Sequence, residues 1–314
     1  MERMGRHRYI LLLLAVGFPF FFIGGPGYHD ARSFKAVWDL GHILFFSLAS
    51  TVAYEMLSRR RGGGRPFSLF LVVFLLVFII GLLIEFLQAG GSGRSPSLYD
   101  VLRNQLGVLV GALYYYDWHS LRSVALRRGV RVVIISLLLF ALWPLTRSLS
   151  DERRALEQFP VLSDFETPFE VSRWRTERQL TRVSAPVSHG ENSMRVQLST
   201  SKYSGTALFY FPGDWSGYRW LYFSVYNTQK RQLRLYARIN DHEHGQHNRV
   251  FKDRFNTRFL LNPGWNTLRI SLEKVRSSPE NRQMNMREIE GFGIFVVQES
   301  RPVVIYLDNI YLSN

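Results

Sequence analysis

Five apolar runs, at about residues 9–25, 36–57, 66–88, 99–116 and 131–148, constrain this chain more than any other feature of its sequence. Each is about 17–23 residues long, close to the ~20 that a helix needs to cross a hydrocarbon layer about 30 Å thick. All five fall in the first half of the 314 residues. Acids follow the opposite distribution, with only seven of the twenty-five Asp and Glu in residues 1–150. The chain therefore reads as two different materials joined end to end. A polytopic transmembrane bundle of about five helices occupies 1–148, a polar linker 149–162, and an extracytoplasmic antiparallel β-sandwich or jelly roll 163–314.

A formal net charge of +14 would ordinarily raise nucleic acid as a partner. Here the basic residues of the first half sit in short clusters between apolar runs: Arg3, Arg6 and Arg8; Arg59, Arg60, Arg61 and Arg65; Arg122, Arg127, Arg128 and Arg131. Cytoplasmic loops accumulate Lys and Arg, so these clusters orient the chain in a membrane, and no nucleic-acid partner is expected. Five crossings then give a cytoplasmic N-terminus and a periplasmic or otherwise extracytoplasmic C-terminal half, in an inner (cytoplasmic) membrane. Tyr114, Tyr115, Tyr116 and Trp118 fall at the cytoplasmic interface, where aromatic belts form. No small-x-small cleavage site follows the first run, which reads as a retained helix. Cysteine is absent, which excludes disulfides, thiol nucleophiles and iron–sulfur ligation.

Polar residues inside the apolar runs are few and cluster at one depth. Asp39 and His42 lie three apart, as do Glu85 and Gln88, while Asp100 and Asn104 lie four apart behind a loop carrying Arg94. Those spacings put each pair on one helix face. Ionisable groups within a membrane are costly and mark function by default; the plainer reading is interhelical bonding, with Arg94 neutralising a carboxylate. An enzyme acting on a lipid-linked substrate would use His42 as general acid or base, oriented by Asp39, with Glu85 or Asp100 as partner. Gly107 and Gly111 form a small-xxx-small spacing and read as packing residues.

The segment IEFLQAGGSGRSPSLYDVLRNQLGVLVGAL resembles the VanZ-like family, with its Glu-x-x-Gln helix end, Arg loop and Asp-x-x-x-Asn-x-x-Gly. Upstream, DLGH resembles that family's Asp-Lys-x-x-His, with Leu40 where Lys is usual. The likeness covers about residues 10–120. The family takes its name from a protein linked to teicoplanin resistance. The resemblance implies a cell-envelope role for Asp39, His42, Glu85, Gln88, Arg94, Asp100 and Asn104, with membrane lipids as partners, and names no reaction.

Beyond Asp164 the pattern is short strands: 193–199, 205–211, 219–226, 232–240, 258–261, 265–272, 291–298 and 303–312, separated by turn residues such as Pro212-Gly213-Asp214 and Asn262-Pro263-Gly264. Alternation puts Trp220, Tyr222 and Tyr226 on one face of the third strand and Arg234, Tyr236 and Arg238 on one face of the fourth. If the two strands pair, those six residues make a glycan-binding sheet of aromatics and arginines. The alternative is cross-strand aromatic packing covered by a loop. The run ARINDHEHGQHNRVFKDRFNTRFLLNPGWNTLRISL and the closing VVIYLDNIYL look like carbohydrate-binding jelly rolls of the galactose-binding-like type, over about 162–314. That resemblance implies an envelope or extracellular glycan as partner, and a structural calcium for which Asp164, Glu166 and Asp308 are the candidate ligands. His242, His244 and His247 carry a zinc-like spacing but read as a solvated loop. No other cofactor is expected.

Overall fold

The structure, a computed structural model, describes residues 2–60, 66–89, 97–115, 123–176, 178–247 and 249–314. It divides into two compact units, Met1–Ser148 and Leu149–Asn314. The first unit is helical. Helix α1 (Glu2–Gly17) runs into a 3₁₀ turn, Phe18–Phe21, where Pro19 cannot continue the α-helical bonding. Then come α2 (Arg32–Arg60), α3 (Pro66–Ala89), α4 (Leu98–Tyr115) and α5 (Val124–Gln158). Among the described residues, Arg32–Arg59, Phe67–Ala89 and Val124–Gln158 are long and apolar enough to cross a membrane, and Arg8–Phe21 is a shorter apolar helix.

Helix α4 is the more polar one because Asp100, Arg103, Asn104 and Gln105 occupy its first half. It packs on α2 through the face that carries Gly107 and Gly111, and on α3 where Asn104 approaches Gly81. A Cβ on Gly107 would lie 2.7 Å from the Ile43 carbonyl oxygen. Phe46 and Tyr54 of α2, Val73 and Val77 of α3, and Val108 and Ala112 of α4 form the buried core between them. The backbones approach this closely only because no side chain intervenes.

The polar stretch expected as a linker is largely helical. Helix α5 continues through Gln158 because the residues after Ser150 are mostly strong helix formers, and it stops ahead of Pro160. Asp151 and Ala155 on that stretch are buried in the second unit.

The second unit is an antiparallel sandwich. Its strands are β1 (Val161–Ser163), β2 (Trp174–Thr176), β3 (Leu180–Val183), β4 (Ser193–Leu198), β5 (Tyr203–Leu208), β6 (Trp220–Asn227), β7 (Leu233–Asp241), β8 (Phe255–Leu261), β9 (Gly264–Ser271), β10 (Ile289–Val297) and β11 (Val303–Ser313). Short helices α6 (His242–Gln246) and α7 (Leu272–Arg276) follow β7 and β9. One sheet runs β3-β4-β11-β6-β9, with β1 also on β11; the other runs β2-β5-β10-β7-β8. From β4 to β7 and from β8 to β11 the chain changes sheet at every connection, a jelly-roll path. Leu221, Phe223 and Val225 meet Leu235, Ala237, Phe292 and Ile294 in the core between the sheets.

This topology corrects the expected glycan face. β6 and β7 are consecutive in sequence but belong to opposite sheets and do not pair. Since both bury their Leu-rich faces in one core, Trp220, Tyr222 and Tyr226 point away from one side of the sandwich and Arg234, Tyr236 and Arg238 from the other.

Candidate functional site

In the helical unit the polar residues connect three helices. His42 of α2 is buried, and its Nδ1 lies 2.9 Å from Oδ1 of Asn104 on α4. With the Asn104 amide oxygen toward the ring, Nδ1 is the donor of this bond and Nε2 faces Asp100 Oδ2 at 4.0 Å. Asp39, expected to orient the imidazole, pairs instead with Arg103 Nη2 at 2.8 Å, and Arg103 also pairs with Asp100. Arg103 was not among the expected residues, although its i,i+3 spacing from Asp100 was the available signal. Glu85 is buried and accepts from the Ser97 backbone N–H at 2.6 Å, just ahead of the first turn of α4. Gln88 donates to the Phe21 carbonyl at 2.6 Å and so ties α3 to the 3₁₀ turn. Arg94 lies outside the described residues. The set is therefore a cross-linked polar layer: one imidazole nitrogen beside a carboxylate, and two carboxylates sharing one guanidinium.

In the sandwich, the outer face of the β6 sheet is aromatic packing under a loop. Tyr222 stacks on Tyr311, Tyr226 meets Trp265 and Tyr306 edge-on, and Arg269 lies over the Trp220 ring. Residues 186–193 fold across it: Ser188 and His189 donate their backbone N–H groups to Asp308 Oδ2 at 2.7 and 2.9 Å, and Ser188 Oγ meets Ser224 Oγ. Burial raises the Asp308 pKa despite those two donors.

The three expected calcium ligands do not gather, because each organises backbone instead. Asp164 accepts from the Glu166 N–H. Glu166 holds the Glu191 and Asn192 N–H groups and the Asn192 amide; burial opposes its ionised form, but these donors outweigh that and its pKa is lowered. Glu170, which was not among the candidates, accepts five bonds from Ser163, Asp164, Phe165 and Thr167. Among the described residues no group of three His, Cys, Asp or Glu side chains is placed to hold a metal ion.

Two of the three histidines share one carboxylate and the third lies elsewhere. His244 and His247 each place Nδ1 near Asp253 Oδ2, while His242 pairs with Glu290. Arg282 joins this strap by bonding both Asp253 and the fully buried Asp241. Hydrogen bonds from Arg282 depress the Asp253 pKa from 3.8 to about 2. A depressed carboxylate stabilises the fold above its unfolded pKa, and that contribution is lost as pH falls through the folded value. Over pH 4 to 2 Asp253 therefore withdraws on the order of 1 kcal/mol, solvent screening reducing the full linkage value. Acid titration of the thermal midpoint should show this loss, and Arg282→Gln should lower the midpoint at pH 7 and flatten the curve between pH 4 and 2.

The outer face of the β7 sheet has a different character. Arg175, Ala207, Gly293, Arg238 and Asn256 are register partners across all five strands and so share one face. The next row is Gly205, Phe295, Tyr236 and Arg258. Phe295 stacks on Tyr236 at 5.5 Å and meets Tyr203 edge-on. Arg238 lies flat across Gly293, where a Cβ would sit 2.8 Å from its Nε, and Asn240 lies likewise against Gly291. Arg175 packs over Phe209 and Tyr210 at the other edge. The Gly and Ala positions at the centre of the face thus let the Arg238 side chain lie close to the sheet, with Ala207 buried beneath its neighbours. Phe295, Tyr203, Arg175 and Asn256 escaped the sequence reading because their strands become neighbours only through β10.

Residues 9–122 match the VanZ/LLP1 family. No curated protein matches the chain. Among solved structures, the second half is similar to a family 11 carbohydrate-binding module from Clostridium thermocellum, described in complex with a mixed-linked β-1,3-1,4 tetrasaccharide. That match has 19% identity over 49% of this chain and 94% of the module, with a TM-score of 0.37. A family 28 module specific for non-crystalline cellulose matches at 10% identity over 50% of this chain and 93% of its own, TM-score 0.36. An exo-β-agarase matches at 14% over 49% of this chain and 25% of its own, TM-score 0.37. Residues 9–122, the part holding Asp39, His42, Glu85, Gln88, Asp100 and Asn104, are therefore a VanZ-like domain, carried on one chain with an antiparallel sandwich.

Proposed function

We propose that this is a membrane protein of the bacterial cell envelope whose sandwich binds a glycan on the outer face of the β7 sheet. The observation that carries the reading is the row Arg175–Ala207–Gly293–Arg238–Asn256 with the Phe295–Tyr236 stack beside it. Aromatic planes offer apolar area to the C–H faces of sugar rings, while guanidinium and amide groups bond hydroxyl and acid oxygens in fixed directions. The β6 face is a poorer candidate, since a loop crosses it and Ser224 and Asp308 are buried beneath. The helical unit anchors the sandwich, with the N-terminus cytoplasmic and the sandwich in the extracytoplasmic space; the basic clusters around Arg8, Arg59 and Arg127 support that orientation.

Binding of the detergent-solubilised chain to a panel of envelope and extracellular polysaccharides tests the reading. Saturable binding is expected, with at least a tenfold loss in a Tyr236→Ala, Phe295→Ala double variant and no loss in Tyr222→Ala. Saturable binding that Tyr222→Ala abolishes would move the site to the other sheet. No binding by folded protein would remove the glycan reading.

A further inference from the structure

The face assigned to glycan binding carries a charge pattern that narrows its ligand. Its outward rows hold Arg175, Arg238, Arg258 and, in register with Leu260, Arg234. Arg254, just ahead of β8, bonds Asn256 on the same face through Nε at 3.1 Å. No Asp or Glu occupies any of these outward positions among the described residues. The acids at the two ends of β10 are occupied elsewhere: Glu290 by His242 at 3.0 Å, and Glu299 by Arg231 at 2.5 Å. Arg175 and Arg238 are separated by three strand steps, roughly 14 Å. At physiological ionic strength the screening length is about 8 Å, so Arg175 and Arg238 are largely screened from each other and the mutual effect falls on close neighbours such as Arg238 and Arg254. Arg254 feels this directly, since burial and the nearby Arg238 both lower its pKa. A neutral sugar would leave that mutual repulsion in place, whereas carboxylate or other acid groups repeated along a chain would relieve it. Guanidinium is also the side chain whose planar fork matches an acid group with two parallel bonds.

Building on the glycan reading above, we infer that the β7 face selects an acidic glycan, a polymer whose sugars bear carboxylate or similar anionic groups. The Phe295–Tyr236 stack supplies the apolar surface for the ring and the arginines read its charge. Selection arises because the outward rows carry several arginines and, among the described residues, no Asp or Glu, not because the chain as a whole is basic.

The test uses the full chain in zwitterionic nanodiscs with polygalacturonate as the acidic probe and mixed-linkage β-glucan as the neutral one. At 150 mM salt polygalacturonate should bind at least tenfold more tightly. An Arg238→Gln, Arg254→Gln variant should lose at least tenfold of that affinity, and Arg195→Gln on the opposite sheet should lose none. Equal binding of both polymers, insensitive to the double variant, would overturn the acidic preference and leave the glycan reading standing. Failure to bind either polymer would remove both. A DNA duplex bound as tightly as polygalacturonate, with the same sensitivity to Arg238→Gln and Arg254→Gln, would mark the face as a general polyanion surface and overturn the inference.

Discussion

Replacing Arg173 by Met should lower the thermal midpoint of the sandwich by roughly 6–20 °C. Arg173 and Asp151 are both fully buried, and the guanidinium donates to both carboxylate oxygens at 2.9–3.1 Å and to the Leu162 carbonyl at 3.1 Å. Removing one partner of such a pair leaves a charge without compensation in a low-dielectric interior, which costs about 3–5 kcal/mol. A domain of this size loses about 2–4 °C per kcal/mol. Asp151→Leu alone should cost a similar amount, whereas the Asp151→Leu, Arg173→Met double variant should recover most of it, because an apolar pair of similar volume is often as stable as a buried ion pair. Fluorescence of Trp174 and Trp215, both in the sandwich core, follows the transition. A single variant within about 1 kcal/mol of the parent would show that water reaches the pair.

That ion pair also shows where sequence reading stopped. The stretch 149–162 was polar, charged and ended near proline, the composition of a tether. Composition could not reveal that Asp151 has a buried partner 22 residues away, and the partner is what turns the stretch into structure. The five helices and the eight longer strands were legible because each is long enough to show its own period. β1, β2 and β3 have three or four residues each, too few for alternation to register.

Site residues divide along the same line. Within one helix, spacing fixed the shared faces of Asp39 with His42 and of Glu85 with Gln88. Pairings between helices did not follow from spacing: Asn104 holds His42, and Arg103 takes Asp39. On the sandwich, alternation sorted the faces of β6 and β7 correctly, and the error lay in joining them. Alternation identifies which side chains share a strand face but is silent on which sheet receives the strand. β10 lies beside β7 in place of β6 and brings Phe295 and its glycines to Arg238 and Tyr236.

The largest effect in the helical unit should come from Gly107→Leu. A Cβ at this position would meet the Ile43 carbonyl oxygen at 2.7 Å and the Phe46 Cβ at 3.0 Å, and one at Gly111 would meet the Ser47 carbonyl oxygen at 2.8 Å. These neighbours are helix backbone or its first carbon, so no rotamer change makes room. Helices α2 and α4 must separate, which loosens Phe46, Val108 and Ala112 together. Overpacking a rigid site costs about 1–3 kcal/mol and occasionally more; a branched side chain against a carbonyl belongs at the upper end. The separation also reaches the polar layer, because His42 immediately precedes Ile43 on α2 and Asn104 lies one turn from Gly107. The 2.9 Å bond between them depends on the same close approach. Thermal unfolding in detergent should therefore rank Gly107→Leu as most damaging and Gly107→Ala as intermediate. Gly129→Ala, where a Cβ meets nothing within 4 Å, should be neutral or slightly stabilising from helix propensity alone. A Gly107→Leu protein as stable as the parent would mean that α2 and α4 are not held at backbone contact, and the polar layer they share would then need another source of its geometry.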